Sequence, residues 1–260
     1  VLKQYKNAVI DPAGQQVVWM QSADSLKAEV KRFALVLRNL SAKSKNEVIV
    51  SDQSSKLQHG YLVSEFRKPS FSEHGERLYF GSAPLASKSL KDTLLLDEEM
   101  SRVDVWGWED TRLQPMQLKR LKEDKEKSSV TLYLIGQKKL VQSVSADINY
   151  QIDTKANHAH MLGTNNEPYQ LINSWDLGHA DVYLLNVNTG EQKLIAKDLQ
   201  GRAQLSPTGK YVVWFDQVSA TWVSYETKSG KISPFTADLG VAFQDEDHDS
   251  ASLASPYGSM

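Results

Sequence analysis

The chain has 260 residues, 30 Lys and Arg against 32 Asp and Glu, a net charge of −2 and no cysteine. That balance gives no general basic surface for nucleic acid, and the missing thiols exclude disulfides, zinc–thiolate sites and a cysteine nucleophile. No run approaches the roughly 20 apolar residues that a membrane-spanning helix needs.

The first element, IDPAGQQVVWM at 10–20, places an acceptor-bearing residue, Asp11, before a proline, a glycine at Gly14 and a β-branched and aromatic run. Proline presets φ for the first corner of a tight turn, and glycine accepts the positive φ that follows. The run after it suits a strand, so the phrase is a turn feeding a buried strand. A polar insertion, QSADSLKAEVKR at 21–32, is expected as an extended hairpin tip or a short helix, and FALVLRNLSAKSKNEVIV at 33–50 reads as a hairpin. The opening phrase returns more loosely as FSEHGERLYFGS at 71–82, with Gly75 in the turn.

A long insertion at 84–129 contains PMQLKRLKEDKEK at 115–127, where Pro115 suits a helix start. Leu118 and Leu121 make only a thin apolar stripe, so a solvated surface helix is expected. VTLYLIGQKKLVQS at 130–143 is a second hairpin, and INYQIDTKANHAHMLGT at 148–164 is a turn–strand phrase with its turn near Ala156 and Asn157. VYLLNVNTGEQKLI at 182–195 alternates and turns at Gly190. Then LSPTGKYVVWFD at 205–216 repeats the opening phrase with Ser206 and Gly209, and WVSYETKSGKISPF at 222–235 turns at Gly230.

Turn–strand followed by strand–turn–strand, recurring along a chain, is the pattern of propeller blades. The fold class is therefore read as all-β, a partial β-propeller of about four to five blades, each a four-stranded antiparallel sheet, with a helical insertion near 115–127. Repeat units are placed at roughly 5–50, 66–143, 148–195 and 203–235, within a propeller segment at 1–243 followed by an acidic and polar linker at 244–260. The chain opens inside a repeat, with no secretion signal, and the last unit is followed by no strand pair to seal a ring. Open sheet edges are usually avoided, so a longer parent polypeptide is expected.

Two segments carry a family resemblance. VDVWGWEDTRLQPMQL at 103–118 has Trp-x-Trp-x-Asp at Trp106–Asp110, expected as a strand, before Leu-Gln-Pro-x-Gln at Leu113–Gln117, and DLGVAFQDEDHDSASLASPYG at 238–258 follows the last Ser-Pro-x-Gly strand. They resemble the β-propeller of bacterial prolyl oligopeptidase-family serine peptidases, of the dipeptidyl-peptidase or acylaminoacyl-peptidase kind. The resemblance covers most of residues 70–258. It implies a propeller seated over an α/β-hydrolase domain, limiting access of peptides to a Ser-Asp-His triad, and a periplasmic or secreted location. The sequence has no Gly-x-Ser-x-Gly and no α/β alternation of a hydrolase domain, so no catalytic residue is assigned within it. The chemistry of such a parent, and its peptide substrate, would lie in a missing hydrolase domain.

Four clusters are weighed as sites. Asp245–Asp249 could hold a hard cation, although its spacing fits no EF-hand and a polar inter-blade loop is the plainer reading. His158 and His160 share one strand face and could reach one metal with His179 or Asp176; histidines packed within a blade are the plainer reading there. Neither metal nor cofactor is assigned. Asp97, Glu98 and Glu99 could hold a substrate ammonium, as a glutamate pair does in dipeptidyl peptidases, or simply form an exposed loop. Trp106, Trp108, Trp175, Trp214 and Trp222 could anchor peptides, but packing between blades is preferred, because Trp19 and Trp214 occupy equivalent repeat positions. The substrate-binding candidates are thus Glu98, Glu99, Trp106 and Trp108. The leading function is a non-catalytic propeller segment that scaffolds and gates a serine peptidase. The alternative is a stand-alone propeller that binds a protein or cell-envelope partner. A glycan-acting enzyme is disfavoured, because nothing sets two carboxylates ~5–10 Å apart across a cleft.

Overall fold

Three copies of the turn phrase share one bonding pattern, and each leads into a blade strand. Asp11, Ser72 and Ser206 each accept from the backbone N–H five residues on, at 2.6, 3.0 and 3.1 Å. Asp11 and Ser206 also accept from the N–H four residues on, at 2.7 and 3.2 Å. In all three the glycine N–H bonds back to the carbonyl of the first residue, at 2.8–3.0 Å. Gly14, Gly75 and Gly209 stand at φ 68°, 69° and 67°, a left-handed region that glycine enters without a Cβ penalty. In the 148–164 phrase the turn is made without glycine: Ala156 N–H bonds to the Asp153 carbonyl at 3.3 Å.

The computed structural model describes residues 4–41, 44–51, 53, 56–86, 98, 103, 105–143, 145–176, 178–249 and 252–258. It divides into two compact units, 1–69 with 80–128, and 70–79 with 129–260.

In the first unit, β1 (Gln4–Ile10), β2 (Gln16–Ser22), β3 (Ala34–Asn39) and β4 (Glu47–Val50) form an antiparallel meander in chain order. Val18 and Met20 of β2, Leu35 and Val36 of β3 and Ile49 and Val50 of β4 are buried. β5 (Tyr61–Val63) pairs with the far end of β7 (Arg77–Pro84), Leu62 opposite Ala83. Gln21 and Ser22 of the polar insertion finish β2, and 23–32 is a polar loop joining β2 to β3 rather than a helix, tied by Arg32 N–H to Asp24 Oδ2 at 2.6 Å. Helix α1 (Gln114–Glu126) has Pro115 in its first turn and buries none of its residues, as its charge predicts.

In the second unit, β6 (Ser70–Phe71) pairs with the start of β7, and β8 (Ser129–Leu134) with β9 (Lys139–Gln142). Two complete meanders follow. β10 (Asn149–Tyr150), β11 (His160–Asn165), β12 (His179–Asn186) and β13 (Gln192–Gln200) form one; β14 (Ala203–Leu205), β15 (Tyr211–Asp216), β16 (Thr221–Glu226) and β17 (Ile232–Pro234) form the other. Their hairpin turns use Gly190 and Gly230, each N–H bonding four residues back at 2.8 Å.

These sheets stack face to face as propeller blades do. Tyr79, Leu132 and Val141 pack with Tyr150, Met161 and Leu185 on one face of the β10–β13 sheet. Leu162, Val182 and Leu184, on its other face, pack with Val212, Trp214 and Tyr225 of the β14–β17 sheet. Neighbours such as Met161 and Leu162 face opposite ways because a strand has a period of two, so both faces of this sheet are covered at Met161–Leu162 and Leu184–Leu185. Each such side chain, fully buried, contributes about 1.5–3 kcal/mol.

Candidate functional site

Where three blade turns of the second unit meet, the contacts change from apolar to polar. Glu73 N–H bonds to the Thr154 carbonyl at 2.7 Å, and Arg77 Nη1 donates to the His158 carbonyl at 2.8 Å. His158 lies on Gly209 so closely that a Cβ there would stand 2.4 Å from its Cγ. Between these turns is an open cavity of about 270 Å³, lined on its polar side by Arg77, Gln151, Asp153, His158, His160 and Gln204. Tyr79, Met161, Leu162 and Leu205 give it an apolar side.

His158 stands in the bend before β11 and His160 is the first residue of that strand, so the two do not share a strand face as expected, although both residues line one cavity. His179 and Asp176 do not join them. His160 pairs with Asn186, at the opposite end of β12 from His179, and seven residues of strand put them roughly 23 Å apart at about 3.3 Å per residue. Among the described residues no three His, Asp or Glu side chains converge in a metal-binding group.

Burial is the main reason both imidazoles are held below their ordinary value of 6.5. For His158, the charges of the neighbouring His160 and Arg77 push the same way, and a hydrogen bond with the His160 backbone and the charge of Asp153 pull against them. Tyr79 is pushed up by burial, with Arg77 opposing. The cavity thus concentrates three groups that carry or can take positive charge against one carboxylate, Asp153.

His179 belongs to a second polar network at the far end of the same sheet. Its Nδ1 lies 2.7 Å from Asp198 Oδ1 and its Nε2 3.2 Å from Asp176 Oδ2. Buried Asp181 accepts from Tyr169 Oη at 2.6 Å and from Asp198 N–H at 3.0 Å, and Gln200 Nε2 donates to Asp176 at 2.6 Å. Burial works against charge on His179, but the two flanking carboxylates outweigh it and raise the imidazole above its ordinary value. This network ties Tyr169 and Asp176, in the connection after β11, to β12 and β13.

The remaining candidates are scattered. Glu98 stands in an exposed turn, and Asp97 and Glu99 lie outside the described residues. Trp214 and Trp222 are buried, Trp214 between blades as expected. Trp106, Trp108 and Trp175 are 66%, 92% and 74% exposed, so the packing role preferred for them is corrected: they stand in connections between strands rather than on the strands themselves. Trp106–Asp110 is an irregular turn rather than a strand, closed by Asp110, whose Oδ2 accepts from Gly107 N–H at 3.2 Å and Gln117 Nε2 at 3.1 Å. In 245–249, Asp245 Oδ1 takes the Asp247 N–H and His248 Nε2 lies 2.8 Å from the Ser252 carbonyl.

Sequence reasoning missed Arg77, Gln151, Asp153 and Gln204. A signal for Arg77 was present: it stands five residues after Ser72, as His158 stands five after Asp153, so the two hold equivalent places in their repeats.

No family model and no curated protein matches the chain. Solved structures similar to it include a prolyl endopeptidase, at 7% identity and a TM-score of 0.40, matched over 88% of this chain and 29% of that one. Another is puromycin hydrolase, at 10% identity and a TM-score of 0.33, over 89% of this chain and 28% of that one. A third is the β-propeller domain of the Trilobed protease from Pyrococcus furiosus, at 10% identity and a TM-score of 0.35, over 89% and 56%. This chain spans under a third of the first two.

Proposed function

We propose that this chain is a non-catalytic β-propeller segment that scaffolds and gates substrate access in a prolyl oligopeptidase-family serine peptidase acting in the periplasm or outside the cell. The observation that carries the reading is the stack of meander blades, apolar between sheets and polar at the turns. Parting the turns costs a few hydrogen bonds, each worth about 1 kcal/mol net. Parting the sheets exposes side chains worth about 1.5–3 kcal/mol apiece. A stiff stack with a soft rim suits a filter that admits short peptides and refuses folded proteins. Two sequence features support the same reading: the 103–118 segment, whose Asp110 and Gln117 engage each other, and a sequence without a nucleophile elbow. In this reading peptide hydrolysis belongs to an α/β-hydrolase domain elsewhere in the polypeptide. Glu98, Trp106 and Trp108 face the substrate, and their exposure leaves them free to do so.

The test is the size and labelling of the native polypeptide, detected with an antibody raised against this chain. The expected result is a band far above 29.2 kDa that takes a fluorophosphonate probe and cleaves short peptides. An unlabelled band at the size of the chain overturns it and favours a stand-alone propeller binding a protein or envelope partner.

A further inference from the structure

We propose that the cavity between the three turns of the second unit binds a small aliphatic carboxylate, its carboxylate group against Arg77, His158 and His160 and its hydrocarbon chain against Met161, Leu162 and Leu205. At about 270 Å³ the cavity falls just under the 300–1,000 Å³ of drug-sized ligand sites, which suits a metabolite of a few carbons. Its polar wall is unbalanced. The titratable groups facing one another there are Arg77, His158, His160, Tyr79 and Asp153, and Asp153 alone supplies negative charge at neutral pH. Asp153 also spends Oδ1 on the Lys155 N–H at 2.9 Å.

Arg77 and His160 each make a charge on His158 less favourable. An anion entering the cavity reverses that repulsion. Each imidazole it touches gains a counterion, and a proton is taken up with the ligand. Binding therefore strengthens as pH falls. The apolar wall selects among anions: each methylene buried against it tightens binding about fourfold, which an inorganic oxyanion cannot match. Nothing in this inference depends on the peptidase reading.

The experiment is titration calorimetry of the full chain with sodium acetate, butyrate, pentanoate and phosphate at pH 6 and pH 8, in two buffers of different ionisation enthalpy. The expected result is saturable binding, rising in the order acetate, butyrate, pentanoate. Pentanoate should bind several-fold tighter at pH 6, with a heat that depends on the buffer. His160→Gln should weaken the pH dependence while leaving the thermal midpoint within a few degrees. Absence of saturable binding, equal affinity for acetate and pentanoate, phosphate binding as tightly as pentanoate, or equal affinity at both pH values each overturns the proposal. Should H160Q not fold, imidazole NMR of the unaltered chain decides: titration of His158 and His160 must move to higher pH on saturation with pentanoate, and unmoved titrations overturn the assignment.

Discussion

Gly209→Ala tests how tightly the blade turns are seated, and Gly14→Ala is its control. Both glycines stand in the same turn with the same bonding, at φ 67° and 68°. An added Cβ meets nothing within 4 Å at Gly14, but at Gly209 it meets His158 Cγ at 2.4 Å and Cβ at 2.5 Å. Left-handed alanine costs roughly 1–2 kcal/mol, offset in both variants by about 0.4–1 kcal/mol from the stiffer unfolded chain. Gly14→Ala is therefore expected to lose about 1 kcal/mol. At Gly209 the backbone of His158 has to shift as well, because its Cβ is already too close, and overpacking of this kind adds about 1–3 kcal/mol. The expected total is about 2–4 kcal/mol. Urea unfolding followed by far-ultraviolet circular dichroism measures both, compared through midpoints at unchanged slope. Equal losses would refute the idea that the second unit's turns bear on one another through His158.

Four further outcomes are expected. Asp11→Ala strips a buried carboxylate that accepts two N–H groups at 2.7 and 2.6 Å, and should cost about 2–3 kcal/mol by urea midpoint, against about 1 kcal/mol for Ser206→Ala. Tyr169→Phe leaves buried Asp181 without its 2.6 Å donor and should cost about 1.5–3 kcal/mol, with loosened hydrogen exchange at 166–176. The folded-state value of His179 is raised above 6.5, so its contribution is complete below that pH and fades as pH rises through the raised value; His179→Gln should flatten this alkaline limb of a stability profile. His158 and His160 are lowered from 6.5, so the unfolded chain takes protons first as pH falls below 6.5; stability should drop there, and less steeply in H160Q.

The turn phrases were legible in the sequence because they are local. An acceptor, a glycine and a β-branched run within about ten residues contain all the atoms that form the turn, so Asp11, Ser206 and their glycines could be placed without knowing what surrounds them. The helix at Gln114–Glu126 was legible for the same reason: a proline start and charge on every side need no partner. The all-β class followed from repetition of these local phrases. The tryptophans show where that logic ends. Trp106 and Trp214 are the same residue type in similarly apolar company, yet one is exposed and the other lies between sheets, because burial depends on which face meets a neighbouring blade. The cavity is still less local. Arg77, His158 and Gln204 come from three separate repeats, and no spacing along the chain encodes their approach. Sequence alone determined the turns, the strands and their order. Only the tertiary structure decided which polar residues would share a cavity, since that depends on the stacking of sheets, which sums many weak apolar contacts between residues far apart in the chain.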